Sequence, residues 1–140
     1  MTARPLRLAV LISGRGSNLK AILDAIAAGR LAAQVVLVLS NRPGASGLDI
    51  AVAAAVPTAV IDHRQYPDRH AFEQALVTAL DAAQAELLVL AGFMRVLTAD
   101  FVHHYRGRLI NIHPSLLPAF AGLDTHARAL AAGATEHGAS

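Results

Sequence analysis

The chain has 140 residues, 54% of them hydrophobic, and twelve Lys and Arg against ten Asp and Glu give a net charge of +2 with histidines neutral. That length and apolar content suit one domain, spanning 1–140, with a sizeable core, and they exclude disorder. No apolar run reaches the roughly 18–20 residues that cross a bilayer, and the absence of cysteine excludes disulfides and thiolate metal sites.

In chain order, Met1-Thr2-Ala3-Arg4-Pro5 leads into a strand without a signal-peptide cleavage site, so a cytoplasmic protein is expected. A first strand over 7–12 ends in Ser13-Gly14-Arg15-Gly16-Ser17-Asn18. Leu19, Ile22, Leu23 and Ile26 then repeat at helical spacing, with Gly29 as the stop. A second strand covers 35–39, and Asn41-Arg42-Pro43-Gly44 closes it. A helix over 47–55 and a strand over 58–61 follow. Phe72, Leu76, Ala79, Leu80 and Ala83 mark the next helix, 87–90 a fourth strand, 98–105 a short helix and 109–113 a fifth strand. A last helix is expected over 125–132, capped by Gly133.

Apolar strands alternating with amphipathic helices predict an α/β fold, doubly wound around a mostly parallel, Rossmann-like sheet. With strand order 3-2-1-4-5, ligands are expected beyond the carboxyl ends of strands one and four, where the order reverses. Three unusual segments fall at such ends. Residues 14–18 open a helix after a strand, which suits either a phosphate held on helix N-terminal amides or a plain turn capped by Ser17 or Asn18. They are neither a Walker loop nor a good dinucleotide fingerprint, since Leu19 holds the third glycine position. Residues 91–97 (Ala-Gly-Phe-Met-Arg-Val-Leu) are apolar for a loop, and either form a slot for a flat ligand or complete the core.

The third segment is Asn111-Ile112-His113-Pro114-Ser115-Leu116-Leu117-Pro118. On a strand, residues i and i+2 share a face, so Asn111 and His113 would aim two donors at one point, as a developing oxyanion requires. The competing reading of His113 is a satisfied core histidine. Ser115 lies in no nucleophile elbow.

Lys20 is the only lysine, and Arg7, Arg15, Arg42, Arg64, Arg69 and Arg95 form no run. That pattern fits small anionic ligands, not a nucleic-acid stripe. His63, His70, His126 and His137 lack metal spacing, so no metal is expected. His103-His104 reads as a solvated pair, and Glu73, Asp81 and Glu86 as helix-surface carboxylates. Asp124-Thr125-His126 reads as a helix cap.

Taken together, Ser13-Gly14-Arg15-Gly16-Ser17-Asn18, Leu90-Ala91-Gly92-Phe93-Met94-Arg95, the octet from Asn111 and Gly122-Leu123-Asp124-Thr125-His126 resemble the folate-dependent formyltransferases. The first motif points to their glycinamide ribonucleotide branch. The resemblance implies formyl transfer from 10-formyltetrahydrofolate to the amine of 5-phosphoribosylglycinamide, in purine biosynthesis. It assigns the substrate phosphate to Gly16, Ser17 and Asn18, and catalysis to Asn111 and His113. Folate falls to Arg69, Met94, Arg95, Val96, Leu97 and Asn111. Small molecules are the implied partners, with neither nucleic acid nor membrane.

The loop Ala119-Phe120-Ala121-Gly122 lacks the basic residue and proline often found there. The family also continues past the position of Ser140, with a strand and a loop whose Asp tunes the histidine. By the resemblance, these 140 residues alone are expected to be poorly active, and the strand over 109–112 an exposed edge prone to homodimerisation or aggregation. The alternatives are another branch, a methionyl-tRNA formyltransferase or a formyltetrahydrofolate hydrolase, and a ligand-binding remnant without turnover.

Overall fold

The computed structural model describes residues 5–94 and 97–112. Five strands, β1 (Leu6–Ile12), β2 (Ala33–Ser40), β3 (Thr58–Val60), β4 (Leu87–Leu90) and β5 (Leu109–Asn111), form one sheet in the order β3-β2-β1-β4-β5. Every described pairing is parallel. The helices are α1 (Ser17–Ala27), α2 (Gly47–Ala53), α3 (Arg69–Ala82) and α4 (Ala99–His104).

The sheet is covered on both faces because its central strands are apolar at successive positions. Leu8, Val10 and Ile12 pack with Leu19, Ile22 and Ala25 of α1 and Ala51 of α2. Ala9 and Leu11, on the opposite face, join Phe72, Leu76 and Leu80 of α3 and Phe101 and Tyr105 at α4. Each fully buried Leu, Ile or Phe contributes about 1.5–3 kcal/mol through its removal from water. A register shift pairs Leu8 with Val35 but Ala9 with Leu37. Val36 is therefore an inserted residue that resets which β2 side chains face each helix layer.

The doubly wound parallel sheet agrees with the sequence reading, its strand order is the one for which ligands are expected beyond β1 and β4, and β4 keeps its expected bounds. Three differences have local causes. The second helix ends at Ala53 because Ala55 enters the left-handed region (φ 59°) and Val56 N–H bonds back to Ala51 O at 2.9 Å. This closing turn lets the half-buried Val56 pack on the core. A 3-10 turn at His63–Gln65, absent from the sequence reading, is nucleated by Asp62, whose side chain accepts from Arg64 N–H. Glu73 is no surface carboxylate. It is 5% exposed and accepts from Thr98 N–H (2.7 Å) and Thr98 Oγ1 (2.5 Å), tying α3 to the start of α4.

Asp81 is exposed but accepts from the Tyr105 hydroxyl at 3.0 Å and lies 3.4 Å from the exposed His104. Burial of Tyr105, then that hydrogen bond, pushes the phenol well above its usual range. Arg7 works at the amino ends of the strands. Its guanidinium donates to Ala83 O, at the C-cap of α3, and to Gln84 O just beyond it, and its N–H donates to Glu86 Oε1. The expected helix over 125–132, with Ser115, Asp124 and Gly133, lies outside the described residues.

Candidate active site

The site assembles at the carboxyl ends of β1 and β4, where the strand order reverses. Gly16, not Ser17 or Asn18, caps α1. Its φ of 76° is left-handed, and no side chain caps the helix. Close approach also requires glycine here: a Cβ on Gly16 would lie 2.6 Å from Gly47 Cα. Gly47 N–H in turn bonds to Gly14 O at 3.0 Å. The loop is thus pressed against the start of α2 by two facing glycines, a contact the sequence reading missed although both glycines were visible. Ser17 and Asn18 begin α1, and the first helical backbone bond runs from Lys20 N–H to Gly16 O. The amides of Ser17, Asn18 and Leu19 precede it, an arrangement that suits an anion.

The loop after β4 is fastened to this one by a buried relay. Met94 N–H donates to Ser13 Oγ (2.7 Å), Ser13 Oγ–H donates to Asn41 Oδ1 (2.5 Å), and Asn41 Nδ2 faces His63 Nδ1 at 3.3 Å. Ser13 and Asn41 are 3% and 1% exposed. Because Asn41 Oδ1 already accepts, its amide nitrogen must donate to His63 Nδ1. The imidazole proton is then on Nε2. The relay joins loops following β1, β2, β3 and β4, and the sequence reading did not foresee it. Its signal was a polar residue directly after each of two apolar strands, Ser13 and Asn41.

The expected folate residues divide. Met94 is held at its amide while its side chain is largely exposed, whereas Phe93 and Leu97 are half-buried against the α3–α4 core. Arg69 is exposed at the first position of α3. Asn111 ends β5, opposite Leu90, and Ile112 N–H bonds to Leu90 O at 3.0 Å. Asn111 therefore stands one strand from the loop carrying Met94. His113, Arg95 and Val96 lie outside the described residues. Among the described residues, no group of three or more His, Asp or Glu could hold a metal ion, and no helix is long and apolar enough to cross a membrane.

Residues 6–140 match the Formyl transferase family. The chain belongs to that family. The chain is 45% identical over 135 residues to the phosphoribosylglycinamide formyltransferase of Escherichia coli (strain K12), covering 96% of this chain and 64% of that one. It is 50% identical over 140 residues to the trifunctional purine biosynthetic protein adenosine-3 of Drosophila melanogaster, covering 99% of this chain and 10% of that one. The chain thus spans less than two thirds of the length of these relatives. Among solved structures it resembles the phosphoribosylglycinamide formyltransferase of Coxiella burnetii, with a TM-score of 0.77 and 54% identity. That likeness covers 93% of this chain and 61% of the other.

Proposed function

We propose that residues 1–140 form a single formyltransferase domain that transfers the formyl group of 10-formyltetrahydrofolate to the amine of 5-phosphoribosylglycinamide. The observation that carries this reading is the junction at the switch point, where the anion-suited start of α1 and the loop carrying Met94 share Ser13, with Asn111 one strand away. Relatives named phosphoribosylglycinamide formyltransferase support the substrate.

In this reading Gly16, Ser17 and Asn18 hold the substrate phosphate, directing the glycinamide amine toward the end of β5. Arg69, Met94, Arg95, Val96 and Leu97 hold the folate. The amine attacks the formyl carbon and a tetrahedral oxyanion develops. The Asn111 amide and a protonated His113 stabilise it. As the bond from the formyl carbon to the folate nitrogen breaks, His113 supplies that nitrogen with a proton, and the attacking amine releases one. No metal takes part. The protein acts in the cytoplasm on these two small molecules.

Calorimetric binding of 5-phosphoribosylglycinamide and of a folate analogue tests the substrate assignment. Steady-state turnover of Asn111→Ala and His113→Ala in a chain that turns over tests the chemistry. Loss of one oxyanion donor costs about 10²–10³ in rate, with phosphoribosylglycinamide affinity retained. A full rate in either variant removes that residue from the mechanism, and failure of an active chain to bind phosphoribosylglycinamide refutes the assignment.

A further inference from the structure

A cleft of about 610 Å³ opens beyond the carboxyl ends of β1, β2 and β3, on the side of the 14–18 loop away from β4. Residues 13–15, 42–46 and 63–64 line it, and they include three arginines, one histidine and no carboxylate. Arg15 and Arg42 are exposed and have no ion-pair partner among the described residues. Arg64 is oriented: its Nε donates to Asp62 Oδ1 at 3.0 Å and its Nη2 to Asp62 Oδ2 at 2.8 Å. Of the five guanidinium N–H groups, three remain for another acceptor. His63 adds its Nε2–H, since Asn41 occupies Nδ1.

The charge balance of the cleft points to an anionic occupant. Arg7, by contrast, is engaged by the carbonyls of Ala83 and Gln84, just past α3. The three guanidinium charges of the lining are offset by one carboxylate outside it, the Asp62 that pairs with Arg64, so about two positive charges stand uncompensated. A concave wall of one sign concentrates counter-ions. Guanidinium forks match carboxylate and phosphate oxygens in pairs. The volume falls within the roughly 300–1,000 Å³ of small-ligand sites and exceeds what one inorganic phosphate fills.

We propose that this cleft is a second anion-binding site, separate from the start of α1, for an extended ligand carrying two or more carboxylate or phosphate groups. Arg15 and Arg42 grip the charged groups, the Asp62-braced Arg64 presents a fixed fork, and His63 Nε2–H adds a further donor. Because Ser13 lines the cleft and also holds the Met94 amide, an occupant lies next to the loop assigned above to folate. The site does not depend on that assignment.

The test is calorimetric titration of the chain with pyrophosphate and, separately, with triglutamate, at low and at physiological salt. The expected result is one-to-one binding of at least one probe, weakened by salt and by about tenfold or more in Arg15→Gln/Arg42→Gln. Preference for triglutamate identifies a chain of carboxylates, and preference for pyrophosphate a phosphate ligand. Arg42→Gln alone provides an intermediate loss, and an unchanged urea midpoint shows that both variants fold. The proposal is overturned if neither probe binds at millimolar concentration or if the double variant binds undiminished. Stoichiometric displacement by 5-phosphoribosylglycinamide also overturns it, because the anion then sits at the start of α1.

Discussion

Four glycines separate two physical demands that are usually confounded, left-handed backbone and close approach. Gly16 carries both: its φ is 76°, and an added Cβ would meet Gly47 Cα at 2.6 Å. Gly29 has the same φ with open space around it. Gly47 has ordinary φ but meets Ile12 Cδ1 at 2.6 Å and Gly16 Cα at 3.0 Å, and Gly14 has neither constraint. Left-handed alanine costs about 1–2 kcal/mol, and forcing atoms into a packed contact about 1–3 kcal/mol. Lowering the entropy of the unfolded chain returns about 0.4–1 kcal/mol.

Gly16→Ala should therefore destabilise the protein by about 2–4 kcal/mol. Gly29→Ala should cost about 1 kcal/mol, and Gly47→Ala about 1–2 kcal/mol, softened because the Ile12 methyl can turn aside. Gly14→Ala should be neutral or slightly stabilising. Urea unfolding followed by far-UV circular dichroism reads these differences. With a slope of about 1–3 kcal/mol per molar, Gly16→Ala lowers the midpoint by about 1–2 M. Equal midpoints for the Gly16 and Gly14 variants would refute the claim that the loop is pinned against α2.

Other outcomes follow from the same geometry. Ser13→Ala leaves Met94 N–H and the buried Asn41 Oδ1 unpaired, at about 1–3 kcal/mol each; if the relay shapes the folate loop, affinity for a folate analogue falls in parallel with the urea midpoint. Glu73→Ala strips both Thr98 donors of their acceptor and should cost about 2–4 kcal/mol; amide exchange in α4 no faster than in the parent would contradict this. Ala55→Gly and Gln84→Gly relieve alanine and glutamine of left-handed backbone (φ 59° and 56°) and should each raise stability by about 1 kcal/mol, read as a higher urea midpoint. The Arg64 side chain, then its backbone N–H, holds Asp62 down to about 2. A lowered carboxyl means that the Asp62–Arg64 pair is intact above the usual carboxylate range and is lost as pH falls through about 2. Carboxyl NMR should show Asp62 returning toward its ordinary range in Arg64→Gln, and an unmoved midpoint would exclude the pair as the cause.

Most of the fold was legible because its signals are local. The run from Leu8 to Ile12 is apolar at every position, which only a strand buried on both faces requires. The α1 stripe of Leu19, Ile22 and Ile26 specifies a helix packed along one side. Gly29 ends α1 through the left-handed turn, with Gly29 N–H bonded to Ile26 O and Arg30 N–H to Ala25 O. The same turn at Ala55 was illegible, because alanine advertises no left-handed backbone, and so the second helix read too long. Glu73 misled for a related reason. A carboxylate one position from Phe72 looks solvated until Thr98, 25 residues away, brings it two donors.

The sequence by itself determined the α/β class and the family, and it located the candidate residues at the carboxyl ends of strands. Spacing and side-chain type encode these properties within short windows. Only the tertiary structure decided what those ends do to one another. It brought Gly16 against Gly47, ran the relay from Met94 through Ser13 and Asn41 to His63, and collected Arg15, Arg42 and Arg64 around one cleft. Each of these depends on contacts between residues 22 to 81 positions apart, and such contacts exist only once the parallel crossovers have stacked the strands side by side.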